Sequence, residues 1–246
     1  MKGMKSLADL QTKAAKVSTK GVPPALRDPA RPALLAWINT AVQHAMPLNE
    51  VLRRLRDGEA AEAIGRTAIA PQLADPNGPA ARAACAPGCA FCCILSGDDG
   101  GTITQIEARR MHQALAPLEG QLDGRAWMPK ACPSLDPETR LCRAYDARPM
   151  ICRSYMSSNV AACEVIAGGT PAEGAGVLGA QALYLAVLML TRNLLKGITR
   201  VPTYSLSRIA VGAIDGESLE DALTAAKHGP RELDEEVARQ AAVIKR

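Results

Sequence analysis

The sequence predicts a mainly α protein, in which helical N- and C-terminal parts pack around an irregular central module that contains eight cysteines and at most a small β-hairpin. Three observations predict this architecture. Apolar residues recur at helical spacing at both ends of the 246-residue chain. Only one Phe, two Trp and four Tyr are present, so the core must be built mainly from aliphatic residues, which favour closely packed helices. All the cysteines lie between positions 85 and 163.

The first region, residues 1–80, is predicted to be helical. Leu34, Ile38 and Val42 recur at the spacing of one helix face, and Pro47 ends that helix. Four helices are expected here, over residues 6–18, 33–45, 48–57 and 59–69. Prolines and an Asn-Gly pair then predict a loop, and we place the boundary of the region at residue 80.

The central module, residues 81–165, has a different pattern. Residues 91–95 and 101–103 flank an Asp-Asp-Gly turn, which predicts a small hairpin. Residues 127–163 have short apolar runs, many turns and little periodicity. Burial alone does not organise such a stretch, so we expect a cross-link to hold it together.

One helix of the module has a clear start. Thr104 and Glu107 have the spacing of a capping box, in which each residue bonds to the backbone of the other. This pattern predicts a helix that begins after Thr104 and runs through Leu115.

The last region, residues 166–246, is again helical. Residues 178–196 follow a glycine-rich loop and are apolar on every face, so this helix is expected to be buried. Gly197 is a suitable residue to end it. Two further helices are expected, over residues 219–227 and 230–244.

The cysteines fall into two groups of four along the chain. The first group is compact, Cys85-x3-Cys89-x2-Cys92-Cys93, and the second is dispersed, with Cys132, Cys142, Cys152 and Cys163. A metal site closed by folding needs this combination, because a short loop chelates the metal and distant ligands complete its shell. Thiolate ligands without histidine suit structural zinc or an iron–sulfur cluster. All eight cysteines are therefore predicted metal ligands.

The adjacent pair Cys92 and Cys93 bears on the number of sites. Consecutive side chains of an extended segment point to opposite faces, so one compact site takes both only if the backbone kinks. The simpler interpretation is that the two serve different sites, or that one of them is not a ligand. Eight cysteines are enough for two four-thiolate sites, but their number alone does not prove two.

Whether the clustered cysteines bind metal or form disulfides depends on the cellular compartment of the protein. No apolar signal-peptide core follows the N-terminal lysines, and the longest apolar run, residues 177–190, is shorter than a bilayer span. We therefore expect a cytoplasmic protein, in which thiols stay reduced and clustered cysteines favour metal over four disulfides or scattered buried thiols. The net charge of +4 and the scarcity of aromatic side chains predict no nucleic-acid partner. No membrane partner is expected, and a protein partner stays open.

Three segments carry a family resemblance: the first cysteine group, then Cys132-Pro133-Ser134-Leu135-Asp136, then Cys142-x2-Tyr145-x2-Arg148-Pro149-x2-Cys152-Arg153, with Cys163 at the end. Together they resemble the YkgJ or CxxCxxCC family over roughly residues 81–165. That family is described as a zinc- or iron-chelating domain, so the resemblance implies metal binding but no particular reaction. The first gap here is three residues, where the family name has two.

Residues beside the predicted ligands have expected roles. Arg148 and Arg153 are expected to offset the negative charge of a four-thiolate site by hydrogen bonds to sulfur. Pro149 suits the first position of a helix, which would place Cys152 in the first turn. Unpaired N–H groups there favour negative charge, so a lowered pKa is expected for the Cys152 thiol.

The sequence thus predicts a metal-chelating protein that binds an iron–sulfur cluster or zinc through cysteine thiolates. One alternative is a cluster-dependent enzyme, either a methyltransferase or a redox protein. Another is a protein-interaction module in which zinc is only a staple and the helix at residues 178–196 helps to bind a partner. The sequence does not decide between zinc and iron–sulfur, and it names no substrate or reaction.

Overall fold

The structure is a computed structural model, and it describes residues 4–94, 99–173 and 175–244. Its α-helices are α1 (Leu7–Ala15), α2 (Pro24–Gln43), α3 (Leu48–Asp57), α4 (Glu59–Ala74), α5 (Gln105–Leu115), α6 (Gly124–Trp127), α7 (Met150–Ser154), α8 (Val160–Ala167), α9 (Gly179–Leu194), α10 (Leu206–Ile214), α11 (Leu219–Ala226) and α12 (Glu232–Ile244). Its strands are β1 (Thr102–Thr104), β2 (Tyr155–Ser157), β3 (Ala175–Val177) and β4 (Thr203–Ser205). The prediction of a mainly α fold is confirmed. In the described part of the chain, every helix is too short or too polar to cross a bilayer.

The chain divides into two compact units, and the first comprises residues 1–69, 179–202 and 229–246. At its centre, α9 packs against α2 and α12. Twelve of the sixteen residues of α9 are buried, which confirms the prediction of a helix buried on every face. The chain's own helices cover α9, so the partner-binding surface expected of it in the interaction-module alternative is already occupied.

α2 begins earlier than predicted, at Pro24 instead of residue 33, and contains Pro29 and Pro32. A proline inside a helix removes one backbone hydrogen bond and usually breaks the helix. Here the first turns bury Leu26, and this burial helps to offset the loss. α4 likewise continues through Pro71, where the sequence predicted a loop.

The second unit comprises residues 70–178 and 203–228, and it contains all eight cysteines. α5 packs against α10 and α11, and together they bury an apolar core. The predicted start of α5 is confirmed, because Thr104 is its N-cap and forms a capping box with Glu107. Residues 203–228 thus join the cysteine-containing segment although they come late in the chain.

The strands of this unit form two small antiparallel sheets. β1 pairs with β4, with Ile103 opposite Tyr204. β2 pairs with β3, with Tyr155 opposite Val177. The strand that follows the predicted hairpin turn is therefore paired with a distant segment, while Phe91–Cys93 forms a 3-10 helix. Residues 95–98, which include part of that predicted turn, lie outside the described residues.

Candidate metal centre

Backbone contacts join the two cysteine groups that are separated in sequence. The N–H of Cys132 donates to the carbonyl oxygen of Cys93 at 2.8 Å. Beside this bond, Ile94 and Ala131 form an antiparallel β-bridge. Both of these apolar residues are buried in the core of the second unit. The short Cys-Cys segment is thereby fixed against the start of the dispersed group.

A tight loop brings Cys142 back to Cys132. Leu135 and Cys142 form a β-bridge that closes the loop. At its tip, the Asp136 carboxylate accepts hydrogen bonds from the backbone N–H of Thr139 at 2.8 Å and from its hydroxyl at 2.7 Å. These bonds lower the pKa of Asp136, so the turn is held by a charged acceptor.

A buried carboxylate positions the segment that carries Cys152. Glu107 is 2% exposed, and one of its oxygens accepts the N–H of Met150 at 2.8 Å. Its other oxygen accepts the N–H and the hydroxyl of Thr104, at 2.9 and 2.8 Å. The capping carboxylate of α5 therefore also holds the first residue of α7. Cys152 lies in the first turn of α7, directly after Pro149, as predicted.

Five thiols surround one cavity of about 110 Å³ in the second unit. They belong to Cys92, Cys93, Cys132, Cys142 and Cys152. The remaining wall is largely apolar and includes Met111, Leu135, Ile151 and Leu206. Within the described residues, no three Cys, His, Asp or Glu side chains are arranged as the shell of a metal ion. The donor set is nevertheless the soft, thiolate-only set that zinc and iron–sulfur clusters require.

Burial controls the ionisation of the cavity thiols. It raises the pKa of Cys132, of Cys142 and of Cys152, and the charges of the thiols of Cys132, Cys142 and Cys92 add to the rise at Cys152. The expectation of a lowered pKa for Cys152 is therefore wrong. α7 has only five residues, and its N-terminus does not compensate for the loss of water around the sulfur.

The vicinal pair divides between two environments. Cys92 is exposed, whereas Cys93 is partly buried. A hydrogen bond from Cys93 is the main cause that lowers the pKa of Cys92 to about 7, and the same bond raises the pKa of Cys93. The two adjacent sulfurs are thus chemically distinct, although both line the same cavity.

Of the two predicted arginines, Arg148 lines the cavity. Its guanidinium carbon lies 3.6 Å from the centre of the Tyr145 ring, and its Nε donates to the Tyr145 carbonyl at 3.2 Å. Its charge acts to lower the pKa of Cys92, Cys142 and Cys152. Arg153 donates to the carbonyls of Arg148 and Asp146, at 2.8 and 2.6 Å, and so shapes the loop that presents Arg148.

Three predicted ligands lie outside the cavity wall. Cys85 is exposed and lies beside Ser157, whose N–H is 3.4 Å from its sulfur. Cys89 lies in a loop of the first group, and Cys163 is buried in α8. The structure therefore brings five of the eight predicted ligands around one cavity.

Residues 84–168 match a family model described as "CxxCxxCC: Putative zinc- or iron-chelating domain". This segment of the chain is similar to the CxxCxxCC family. This finding confirms the resemblance, and the domain includes all eight cysteines in about a third of the chain. No curated protein and no solved structure matches the chain. The zinc- or iron-chelating chemistry described for that family agrees with the thiol-lined cavity.

Two residues have roles at the site that the sequence does not predict. Tyr155 lines the cavity, and no pattern in the sequence indicates this position. Burial, followed by the charges of nearby cysteines, raises the pKa of Tyr155 to about 12, so its phenol stays neutral. Glu107 was predicted only as a helix cap, and no local pattern indicated its bond to Met150, 43 residues away.

The substitution Glu107→Gln is expected to destabilise the second unit by about 2 kcal/mol, the usual contribution of hydrogen bonds to a charged group. The amide has one acceptor oxygen in place of two, and its NH2 group would face a backbone or hydroxyl donor. Chemical denaturation measures the change. Glu138→Gln is the matched control, because Glu138 is exposed. An equal loss in both variants would show that Glu107 has no special role.

Proposed function

We propose that this protein is an iron–sulfur protein whose cluster binds in the thiol-lined cavity through Cys93, Cys132, Cys142 and Cys152. The observation that carries the proposal is the meeting of these four thiols around one cavity of about 110 Å³. Iron–sulfur clusters are held by four cysteine thiolates, and here each thiolate comes from a different local segment. Cys92 lies at the same cavity but is exposed.

The size of the cavity favours a cluster over a single ion. One water molecule needs about 10–15 Å³ of such a cavity, so this one accommodates several heavy atoms. A four-coordinate zinc ion draws its sulfurs to about 2.3 Å and would leave most of the space unfilled. Iron and sulfide atoms of a polynuclear cluster fill it without collapse of the surrounding core.

The walls suit a negatively charged cluster. Met111, Leu135 and Leu206 exclude water from the sulfurs. Arg148 supplies a positive charge that offsets part of the charge of the thiolates. Because burial raises the pKa of the cavity thiols, cluster binding must release protons, and we expect affinity to fall as the pH falls.

We also propose a cytoplasmic location, because a reducing compartment preserves the eight free thiols that the site needs. The role supported best is that of a metal-chelating protein. The cavity offers cluster ligands and a neutral phenol, and its lining supports no assignment of a general base or a substrate.

Anaerobic purification of the full chain tests the proposal. The protein is expected to be coloured and to contain iron and acid-labile sulfide, and Cys152→Ser is expected to lose most of both. Cys89→Ser is the matched control, because Cys89 lies outside the cavity, and it is expected to keep the iron and sulfide. Stoichiometric zinc without sulfide in the parent protein would contradict the cluster and favour the zinc alternative.

A further inference from the structure

We infer that His228 is a positioning residue of the metal centre, which holds Asp99 and thereby keeps the backbone at Gly100 in place as part of the cavity wall. This inference rests on the proposed function, because that wall separates the bound cluster from water. His228 lies outside residues 84–168, so the description of the matching family assigns it no role. The bonds that hold this part of the wall come from residues 203–228, which belong to the same compact unit.

Two neighbouring residues of the cavity wall are far apart in the sequence. Gly100 and Leu206 both line the cavity. The N–H of Leu206 donates to the carbonyl oxygen of Gly101 at 3.0 Å, which joins the two segments. Gly101 also packs near Ile151, since a methyl group built on it would lie 3.5 Å from that side chain. Ile151 directly precedes the proposed ligand Cys152, so the segment at Gly101 lies against the segment that carries this ligand.

The backbone at these two glycines does not hold its own shape. Gly100 and Gly101 have positive φ, at 65° and 115°. Glycine has no Cβ and adopts this region about as readily as the usual one, so two successive glycines have many accessible conformations. Contacts from outside the segment are therefore needed to keep it against the cavity.

Asp99, the residue before Gly100, is held by its main chain and by its side chain. Its carbonyl oxygen accepts the hydroxyl of Ser205 at 2.9 Å and the N–H of Ser207 at 3.0 Å. Its carboxylate lies 2.5 Å from Nε2 of His228. The side chain of His228 is 10% exposed, and a hydrogen bond to a charged group is stronger in such a site than in water. Of these bonds, that of His228 is the one to a charged group, so its loss is expected to loosen Asp99 most.

His228 is itself fixed by its backbone and by its ring. Its backbone N–H donates to the carbonyl oxygen of Thr203 at 2.9 Å, and its Nδ1 lies 3.2 Å from the Thr203 hydroxyl oxygen. A carboxylate accepts hydrogen bonds, so Nε2 carries the hydrogen that Asp99 accepts. Thr203 is buried in β4 and pairs with Thr104 of β1. His228 therefore connects Asp99 to the β1–β4 sheet.

Two substitutions at position 228 separate the bond to Asp99 from the other contacts of the histidine. His228→Gln places an amide nitrogen near the position of Nε2 and keeps a donor for Asp99, whereas His228→Asn places its amide near Nδ1 and keeps only a partner for Thr203. In the anaerobically purified full chain, bathophenanthroline disulfonate is expected to remove iron about tenfold faster from His228→Asn than from the parent, because one hydrogen bond to a charged group contributes about that factor or more. His228→Gln is the matched control and is expected to release iron close to the parental rate.

Two further measurements distinguish positioning from a general loss of stability. The reduction potential of a cluster depends on its exposure to solvent, so His228→Asn is expected to shift it and His228→Gln to leave it unchanged. The double variant that combines Asp99→Ala with His228→Asn is expected to release iron no faster than Asp99→Ala alone, because His228 acts through Asp99. Further acceleration in the double variant would show that His228 acts elsewhere.

The outcomes also separate this inference from the proposed function. If His228→Asn releases iron at the parental rate or leaves the potential unchanged, the positioning role is wrong and the cluster proposal stands. If His228→Gln and His228→Asn lose iron equally fast, the ring is needed for its packing and not for its bond to Asp99, and the role is wrong as well. If the parent contains zinc without sulfide, the cluster proposal fails, whereas faster release of zinc to EDTA from His228→Asn but not from His228→Gln still supports the positioning role.

Discussion

Removal of the metal is expected to make residues 127–163 sensitive to protease, while the helices of the first unit stay protected. The segment contains short helices, the three-residue strand β2 and single β-bridges, and three of its cysteines line the cavity. α9 and its neighbours bury their own apolar core, which contains no cysteine. Limited proteolysis after anaerobic chelation, with cleavage sites identified by mass spectrometry, measures the difference.

The expected effect is large because metal binding and folding share one free energy. Structural zinc sites contribute about 10–16 kcal/mol of apparent binding free energy at neutral pH. A whole domain has a net stability of about 5–15 kcal/mol. A segment whose thiols lose such a ligand therefore loses more than its remaining contacts supply. The α5 and α10 core, which includes Ile103 and Ile209, is expected to resist longer than the cysteine segment.

The matched control is the variant Cys132→Ser. This substitution removes one buried thiol of the cavity, so the variant is compared with the parent before any chelator is added. It is expected to be cut in the same segment before chelation and to show little further change after it. Equal protection of residues 127–163 with and without metal would contradict the prediction, since the segment would then be stable through its own packing.

Local patterns in the sequence were sufficient where one segment determines its own structure. The apolar faces of α9 predicted its burial, and Thr104 with Glu107 predicted the start of α5. Both signals depend on residues within a few turns of one another. The cysteine pattern predicted metal chelation for the same reason, because the types and spacing of the ligands carry that chemistry.

Local patterns do not predict which distant segments pair with each other. β1 and β4 are about a hundred residues apart, and nothing in the local sequence of Thr102–Thr104 indicates that partner. α10 was not predicted, although Leu206 and Ile209 have helical spacing, because the segment is short and contains Gly212. The prediction of a lowered pKa for Cys152 failed for a related reason. Burial raises this pKa, and the core against which Cys152 packs includes Met111 and Leu206, which are far from it in sequence.

The spacing of the cysteines likewise does not predict which thiols lie together in the fold. In sequence, Cys93 belongs to the compact first group, but the backbone bond from Cys132 places it with the dispersed cysteines around the cavity. Cys163 closes the dispersed group in sequence, yet α8 places it outside the cavity wall. Spacing identifies candidate ligands, and the non-local contacts decide which of them share a site.

The substitution Gly124→Ala is expected to destabilise the second unit by about 3 kcal/mol and to reduce the metal content of the protein. A methyl group at this position would overlap the carbonyl oxygen of Cys132 and lie 3.0 Å from the Cβ of Leu135. Overpacking of a filled interior costs about 1–3 kcal/mol, and a clash with backbone belongs at the upper end because backbone cannot rotate away. Chemical denaturation and metal analysis of the same preparation measure the two effects.

The reduction in metal content follows from the atom that must move. Shifting the Cys132 carbonyl displaces the N–H that bonds to Cys93, so two of the proposed cluster ligands lose their relative position. Gly229→Ala is the matched control, because a methyl group there meets no atom within 4 Å and the residue has no positive φ. The control is expected to keep full stability and metal. If Gly124→Ala keeps both as well, the segment around Cys132 is mobile enough to absorb a methyl group, and the tight packing behind this ligand is not required for metal binding.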